Sequence, residues 1–330
     1  MNVPEDFPDL PEEVERRART VWTRKDLVGL QGVSRAELEL LLETAGSFRS
    51  LGTKHIKKVP ALRGKTLVNF FVEPSTRTRV SFELAAARLS ADVINMSASA
   101  SSLSKGETLK DTARNLEALH ADIIVLRHGS AGAAQFLAER LEASVINAGD
   151  GAHEHPTQAL LDVFTIRLHK GTLEGVHVGI VGDILFSRVA RSNIFALKQL
   201  GARITLVGPT TLVPREFERL GVAVRHDLDG LLPELDVINL LRIQHERQRK
   251  EYFPSTGEYT ALFGLTQKRA RRLRKDCLIM HPGPINRGVE IDSEVADSSQ
   301  SVILEQVTNG LAVRMAALYL CNAARSGEAV

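Results

Sequence analysis

The chain has 330 residues, of which 43% are hydrophobic and 25% are charged, which is typical of a globular protein with about two domains. We expect no membrane-spanning segment, because no run approaches the roughly 20 apolar residues that a span requires. The net charge of +2 gives no general case for nucleic-acid binding. The first residues are polar and charged, unlike a secretory signal, and Cys277 and Cys321 lie far apart without metal-ligand spacing. A reduced, cytoplasmic protein is the natural inference.

Apolar β-prone runs alternate along the chain with segments whose apolar residues recur at helical spacing. Strands are predicted at about residues 67–72, 92–96, 122–126, 144–148, 176–181, 203–207, 222–225, 236–241 and 277–280. Helices are predicted at about residues 34–45, 80–90, 108–119, 131–141, 159–169, 188–200, 214–220, 265–274 and 304–324. This alternation predicts an α/β fold of two doubly wound domains, each with a mostly parallel sheet flanked by helices. We expect a first domain at 1–152, onto which a C-terminal helix of about 304–330 packs back, and a second at 153–303.

Two motifs with potential cofactor chemistry are weak. Gly179 to Asp183 follows a predicted strand, but the three-glycine spacing of a dinucleotide-binding loop is absent. His153 and His155 are two residues apart, so they do not share a helix face, and no third metal ligand is indicated. Neither a dinucleotide nor a metal is therefore expected.

Two further stretches are interpreted from composition. Residues 242–264 contain polar residues, Gly and Pro, which suggests a mobile lid. The basic run at 268–275 is interpreted as a solvated helix face whose field would also attract anions.

A polar stretch at the first predicted strand end indicates an anion site. Pro74 ends the apolar strand, and the hydroxyls of Ser75, Thr76 and Thr78 stand where a helix begins. The free N–H groups and the positive dipole end of such a helix favour an anion, and two nearby guanidiniums, of Arg77 and Arg79, make phosphate the most plausible one. The alternative from these residues alone is an ordinary Ser/Thr-capped helix that carries surface arginines.

Further polar groups lie at strand ends or helix starts, where ligands of parallel sheets bind. These are Arg127, His155, Gln158, Arg188, Arg242, Gln244, Gly283 and Pro284. The planar fork of arginine binds phosphate and carboxylate bidentately, so the set predicts a site for several negative charges. Because no nucleophile in a triad context and no carboxylate pair is found, catalysis would rest on positioning and electrostatic stabilisation.

Together, four runs resemble the transcarbamoylase family in order and spacing over nearly the whole chain. They are Ser75 to Arg79, Arg127-His128, His155 to Gln158 and His281 to Pro284. Within the family, Arg242-Ile243-Gln244 and the run from His281 to Gly288 resemble the aspartate-specific members. The His-Cys-Leu-Pro run and the Ser-Met-Gly loop expected of the ornithine-specific members are absent.

The resemblance implies transfer of the carbamoyl group from carbamoyl phosphate to L-aspartate in de novo pyrimidine biosynthesis, with neither metal nor organic cofactor. It implies that Ser75, Thr76, Arg77 and Thr78 bind the phosphate. It further implies that Arg127, His155 and Thr78 bind the carbonyl oxygen, and that Gln158 with the carbonyls of Gly283 and Pro284 accepts from the NH₂ group. The implied clamp for the two aspartate carboxylates consists of Arg188, Arg242 and Gln244.

The resemblance also implies a homotrimer with active sites shared between subunits. A loop that carries Ser101 and Lys105 would reach into the neighbouring site, although Lys105 alone would be interpreted as a solvated lysine. Which serine within 101–104 does so stays open, as does association with regulatory chains or a dihydroorotase.

Two other functions remain open on the sequence. A family member could use another amine acceptor such as ornithine, or an inactive homologue could serve as a scaffold for pyrimidine enzymes. The second is disfavoured because Arg77, His155, Arg188 and Arg242 are all present.

Overall fold

The computed structural model describes residues 22–51, 58–97, 105–244, 252 and 255–327. They belong to two compact units, the first comprising Met1–Thr157 with Asn309–Val330 and the second Gln158–Thr308. The division falls after residue 157, five residues later than the boundary expected after residue 152. It therefore assigns His155 to the first unit and not to the second.

The first unit is built on a parallel sheet with strand order β2-β1-β3-β4. Its elements are α1 (Arg35–Leu51), β1 (Thr66–Phe71), α2 (Thr76–Arg88), β2 (Asp92–Ser97), α3 (Leu109–Ala118), β3 (Ile123–His128), α4 (Ala133–Ala138) and β4 (Ser144–Asp150). A reciprocal cap starts α1: Ser34 Oγ accepts from Glu37 N at 3.2 Å, and Ser34 N donates to Glu37 Oε2 at 2.8 Å.

The core of the first unit lies where the central strands meet α4. Val68 and Phe70 of β1 and Leu126 of β3 pack in one cluster with Ala134 and Leu137 of α4. Strand β4 is buried throughout, whereas the edge strand β2 is largely exposed. The central strands are therefore apolar on both faces, as strands of a covered parallel sheet are.

The second unit repeats this plan with a parallel sheet of order β7-β6-β5-β8-β9. Its elements are β5 (His177–Val181), α6 (Arg188–Gln199), β6 (Arg203–Val207), β7 (Ala223–Arg225), β8 (Val237–Leu240), α7 (Thr256–Phe263), α8 (Gln267–Ala270), β9 (Leu278–Met280) and α9 (Ser293–Ala296), with short 3₁₀ helices at Arg215–Leu220 and Leu232–Glu234. The strand order reverses after β5, so the ends of β5 and β8 lie side by side.

Two helices cross the division between the units. They are α5 (Pro156–Lys170) and α10 (Ile303–Ser326). The second part of α10 is tied to the first unit: Arg314 Nη1 donates to Ser81 Oγ at 3.0 Å, Ser144 Oγ donates to Cys321 O at 3.3 Å, and Arg325 pairs with Asp122.

The α/β fold of two parallel-sheet domains is confirmed. The helix predicted at 265–274 is wrong in extent, since α8 spans only Gln267–Ala270. The basic run at 268–275, which begins within α8, is not simply a solvated helix face, because Arg269 and Arg272 both bind Asp229. The loop predicted at 242–264 is wrong in extent, because Thr256–Phe263 is helical and buries Tyr259 and Phe263. Residues 245–251 and 253–254 lie outside the described residues, and the interpretation as a lid stays a prediction.

Candidate active site

The predicted anion site lies where β1 gives way to α2. Helix α2 begins at Thr76, and Ser75 occupies the N-cap position with extended backbone. The Ser75 hydroxyl makes no capping hydrogen bond to the backbone, and instead it donates to Thr78 Oγ1 at 3.0 Å. Thr76 and Arg77 are exposed, whereas Thr78 is buried. The first turn therefore presents its N–H groups without a side-chain cap from Ser75, as an anion-binding helix start does.

Arg127 lies beside this turn because β3 pairs with β1 and aligns Arg127 with Phe71. Arg127 Nη2 binds Glu73 Oε1 at 2.6 Å, and Nη1 donates to Ala148 O at 3.1 Å. The carbonyl oxygen of Arg127 accepts from the backbone N–H groups of Val72 and Glu73. The guanidinium is thus held at the carboxyl end of the sheet by two neighbouring segments.

The turn after β4 is held by two buried carboxylates. Asp150 accepts from the backbone N–H groups of Gly132 at 2.7 Å and Glu154 at 3.1 Å. Glu154 in turn accepts from Leu30 N at 2.8 Å and Gln31 N at 3.3 Å. Each carboxylate therefore fixes loop backbone, and these contacts give Glu154 a structural role.

A glycine and a buried histidine complete this turn. A Cβ on Gly151 would lie 2.7 Å from Ala131 N, and its φ of +50° also favours glycine. His155 is 4% exposed and stands directly before α5. The close packing of the turn thus places the imidazole at the carboxyl edge of β4.

The predicted intersubunit loop is described only in part. Lys105 is exposed and lies a few residues before α3, which begins at Leu109 with a Thr108 cap. Ser101 to Ser104 lie outside the described residues.

In the second unit, a buried aspartate joins the segments after β5 and β8. Asp183 Oδ1 accepts from Phe186 N at 3.1 Å, and Oδ2 accepts from Gln244 N at 3.2 Å. Gln244 Nε2 also reaches Phe186 O at 3.4 Å. Arg188, 3% exposed, is the first residue of α6, and Arg242 follows β8. The three predicted carboxylate-binding residues, Arg188, Arg242 and Gln244, are therefore carried by two segments that one carboxylate ties together.

The loop after β9 is fixed by His281. The His281 ring accepts from Gly283 N at Nδ1 (2.8 Å), so Nε2 carries the proton that it shares with Glu290 Oε1 at 3.1 Å. Glu290 Oε1 also accepts from Asn286 N at 2.6 Å. Gly283 and Pro284, joined by a cis peptide, lie within this anchored loop.

Sequence reasoning missed a polar cluster beneath Gln158. Its centre is Asp162, one turn further along α5 and fully buried. Asp162 Oδ1 accepts from Gln158 Nε2 (3.0 Å) and Gln306 Nε2 (2.7 Å), while Oδ2 accepts from Asn193 Nδ2 (2.8 Å) and Asn239 Nδ2 (3.3 Å). Burial raises the pKa of Asp162 to about 6, against the opposing effect of the amide hydrogen bonds. The available signal was a polar residue within an apolar run at two of these positions, Asp162 and Asn239.

Neither a metal-binding cluster nor a membrane-spanning helix is found among the described residues. No group of three or more His, Cys, Asp or Glu side chains there is placed to hold a metal ion. No described helix combines the length and the apolar character needed to cross a bilayer.

Sequence comparisons match both units to one family. A profile described as "Aspartate/ornithine carbamoyltransferase, carbamoyl-P binding domain" matches residues 25–168. Its companion, described as "Aspartate/ornithine carbamoyltransferase, Asp/Orn binding domain", matches residues 174–321. The chain is also 61% identical to the aspartate carbamoyltransferase catalytic subunit of Opitutus terrae, across 91% of this chain and 96% of that protein.

Solved structures agree with these matches. The aspartate transcarbamoylase of Trypanosoma cruzi in complex with carbamoyl phosphate and aspartate superposes with a TM-score of 0.82 at 28% identity, covering 94% of this chain and 99% of that one. The ornithine carbamoyltransferase of Pyrococcus furiosus reaches a TM-score of 0.80 at 33% identity, covering 91% and 97%. The chain is thus similar in fold to enzymes with either acceptor.

Proposed function

Since the chain belongs to the aspartate/ornithine carbamoyltransferase family, we propose that it transfers the carbamoyl group of carbamoyl phosphate to L-aspartate, as part of de novo pyrimidine biosynthesis. The products are N-carbamoyl-L-aspartate and phosphate. The observation that carries this proposal is the 61% identity to an aspartate carbamoyltransferase catalytic subunit over 91% of the chain. The choice of aspartate over ornithine is further supported by Arg242 and Gln244, whose side chains suit the second carboxylate that aspartate has and ornithine lacks.

The start of α2 is suited to the phosphate group. Ser75, Thr76 and Thr78 offer hydroxyls beside the first-turn N–H groups, and the exposed Arg77 adds a guanidinium. Arg77 would neutralise charge that builds on the departing phosphate. Such donors need no reorganisation as the charge develops, so they stabilise the transition state more than the ground state.

A second group of donors would bind the carbamoyl carbonyl oxygen. Arg127, His155 and Thr78 carry N–H or O–H groups, and the pairing with Glu73 and Ala148 holds the Arg127 guanidinium in place. The carbonyl oxygen gains negative charge when the amine attacks. These three side chains would therefore serve as an oxyanion hole.

The second unit would supply the remaining contacts. Gln158 Oε1 and the backbone carbonyls of Gly283 and Pro284 would accept from the carbamoyl NH₂ group. Arg188, Arg242 and Gln244 would bind the two aspartate carboxylates, on segments that Asp183 ties together.

The reaction needs no covalent enzyme intermediate. The neutral amine of aspartate attacks the carbamoyl carbon, the bond from that carbon to the phosphate oxygen breaks, and the amine gives up one proton. The leaving phosphate is the proposed proton acceptor. The protein contributes positioning and charge stabilisation, which are the roles its buried and anchored side chains suit.

The decisive experiment supplies purified protein with labelled carbamoyl phosphate and either L-aspartate or L-ornithine. We expect carbamoyl-aspartate to form and ornithine to give no product above background. Turnover with ornithine but not aspartate would overturn the acceptor assignment, and no turnover with either would favour an inactive homologue.

We also propose a homotrimer in which Lys105, and a serine of 101–104, complete the site of a neighbouring subunit. Lys105 is exposed. Three apolar side chains of α2 and β2 are also exposed and could be buried in a subunit interface: Val80, Leu84 and Ile94. Regulatory chains or a dihydroorotase are further proposed partners. A cytoplasmic location is proposed as well, since both cysteine thiols are free and buried.

Mixing two inactive variants tests the shared site. Arg77→Ala and Lys105→Ala homotrimers are each expected to lose activity, whereas hybrids regain part of it, because some sites then contain neither substitution. Light scattering with size-exclusion chromatography would establish the trimer and the exchange of subunits. Verified exchange without recovered activity would contradict the shared site.

A further inference from the structure

We propose that Asp162 is a positioning residue for the reaction, which holds Gln158 so that its amide oxygen, and not its amide nitrogen, faces the carbamoyl NH₂ group. The inference rests on the proposed function, in which Gln158 accepts a hydrogen bond from carbamoyl phosphate. Asp162 itself touches no substrate, because it is fully buried beneath Gln158.

The orientation of a glutamine amide has to be deduced from its partners, since its oxygen and nitrogen have nearly the same shape. Within the cluster around Asp162, Gln306 supplies the first fixed point. Gln306 Oε1 accepts from the backbone N–H of His281 at 3.0 Å, and that N–H can only donate. Its nitrogen must therefore be the atom that lies 2.7 Å from Asp162 Oδ1.

Asn193 supplies a second fixed point. Its Nδ2 donates to the backbone carbonyl of Val189 at 3.1 Å, and a carbonyl can only accept. The same nitrogen lies 2.8 Å from Asp162 Oδ2. Backbone groups thus establish that both carboxylate oxygens of Asp162 act as acceptors, independently of Gln158.

The orientation of Gln158 follows from these two. Asp162 Oδ1 lies 3.0 Å from Gln158 and is an acceptor, so Gln158 must present Nε2 to it. Turning the amide around would set two oxygens against each other at this distance, in a site without solvent. The Oε1 atom of Gln158 is consequently the one left for a ligand, and it suits a ligand NH₂ group.

This orientation bears on which acyl phosphate the site prefers. Acetyl phosphate has a methyl group where carbamoyl phosphate has NH₂, so it cannot donate to Gln158 Oε1. The ratio of the two dissociation constants, acetyl phosphate over carbamoyl phosphate, therefore reports the hydrogen bonds that the NH₂ group donates to Gln158, Gly283 and Pro284. A change in the ratio on substitution at position 158 isolates the contribution of Gln158. Damage to the fold alone would weaken both ligands and leave the ratio unchanged.

The experiment measures this ratio by isothermal titration calorimetry on the full-length protein. Gln158→Ala is expected to lower the ratio by roughly tenfold, the usual effect of losing one hydrogen bond to a ligand. Asp162→Leu, which keeps the approximate shape but removes both acceptors, is expected to lower it similarly. The double variant should show no further fall, because both changes act on the same hydrogen bond.

Asp162→Asn serves as the conservative variant. Asn239 Oδ1 has no hydrogen-bond partner among the described residues, so Asn239 can turn and accept from the new amide nitrogen. The oxygen of the new side chain then remains for Gln158 and Gln306. The new nitrogen also faces Asn193 Nδ2, which loses its partner at position 162 but keeps its hydrogen bond to Val189 O. We expect the ratio to stay within about threefold of the wild-type value.

The outcomes distinguish a failure of the role proposed for Gln158 from a failure of the role proposed for Asp162. An unchanged ratio in Gln158→Ala would overturn the proposed role of Gln158 and this inference with it. A lowered ratio in Gln158→Ala together with an unchanged ratio in folded Asp162→Leu would overturn the inference alone.

If Asp162→Leu does not fold, the single variant Gln158→Glu and the double variant Gln158→Glu/Asp162→Asn decide. Gln158→Glu alone would set a second carboxylate against that of Asp162, and carbamoyl phosphate binding should fall. In the double variant the repulsion between two carboxylates is removed, and the amide introduced at position 162 can donate to the carboxylate introduced at position 158. The new amide nitrogen then also faces Gln306 Nε2, so the recovery is partial. Binding should then recover at least about threefold by the same reasoning. Absence of recovery would overturn the inference.

Discussion

The two units hold their candidate site residues in different ways. In the first unit the phosphate-binding candidates are neighbours in sequence on one helix start, and Thr76 and Arg77 are exposed. In the second unit Gln158, Arg188 and Gln244 come from separate segments, and buried Asp162 and Asp183 hold Gln158 and Gln244. An anion site can be built from one turn of backbone, whereas placing single amides and guanidiniums requires a supporting polar interior.

The strongest test of this contrast is Arg77→Ala. We expect kcat/KM to fall by about 10²–10³, because the variant lacks a charge that acts on the departing phosphate. The melting temperature should stay nearly constant, since Arg77 is exposed. Steady-state kinetics and calorimetry measure the two effects.

Arg114→Ala, which removes an exposed arginine of α3 without an assigned role, is the matched control and should change neither quantity. A large loss of stability in Arg77→Ala would contradict the contrast between the units, because it would show that the candidate site of the first unit also depends on stabilising side-chain contacts.

The buried carboxylate of Asp162 should appear in the pH dependence of stability. Its pKa is about 6 in the folded protein, above the ordinary value of 3.8. A raised pKa means that its stabilising contribution is complete below about pH 4 and is lost as the pH rises through 6. Relative to wild type, Asp162→Asn should therefore gain up to roughly 3 kcal/mol between pH 4 and 7.

Urea unfolding at a series of pH values measures this difference, and comparison with the variant cancels the other titrating groups. A difference that does not change between pH 4 and 7 would show that Asp162 does not titrate there.

Substitution of Glu154 tests whether the first unit also depends on a buried, hydrogen-bonded carboxylate, as the second unit does at Asp162. Glu154→Gln would turn an amide N–H₂ group toward Leu30 N or Gln31 N, each of which needs an acceptor. We expect a loss of about 1–3 kcal/mol in the free energy of unfolding. Denaturant unfolding measures it.

Glu139→Gln, at an exposed position of the same unit, is its control and should have little effect. Equal stability of the two variants would mean that the Glu154 hydrogen bonds contribute nothing.

The smallest effect is expected from Asp183→Asn. The variant would oppose an amide N–H₂ to the N–H of Phe186 or Gln244, and so loosen the aspartate clamp. KM for aspartate should rise about tenfold, while the dissociation constant of carbamoyl phosphate changes less than about twofold. An equal change in KM for aspartate and in the dissociation constant of carbamoyl phosphate would show that the effect of Asp183→Asn is not confined to the aspartate clamp.

The same contrast explains what the sequence can predict. The strand predicted at 203–207 has its observed bounds, and Ser75 to Thr78 can be recognised because a contiguous motif needs no knowledge of distant contacts. Asp162 cannot be recognised in this way, because three of its four partners, Asn193, Asn239 and Gln306, come from 31 to 144 residues away. Helix 265–274 is overestimated from sequence, since helical propensity does not reveal that Arg269 binds Asp229 from another segment.

The division of the chain also affects the order in which it is synthesised. The second unit is continuous from Gln158 to Thr308, whereas the first is completed only by residues from Asn309 onward. As a polypeptide leaves the ribosome, all of the second unit emerges before the part of α10 that provides Arg314, Cys321 and Arg325 to the first. Domains commonly fold in N-terminal to C-terminal order during translation. Here synthesis of the first unit begins first but is completed last. Until residues from Asn309 onward have been synthesised, the nascent first unit lacks the α10 partners of Ser81, Asp122 and Ser144.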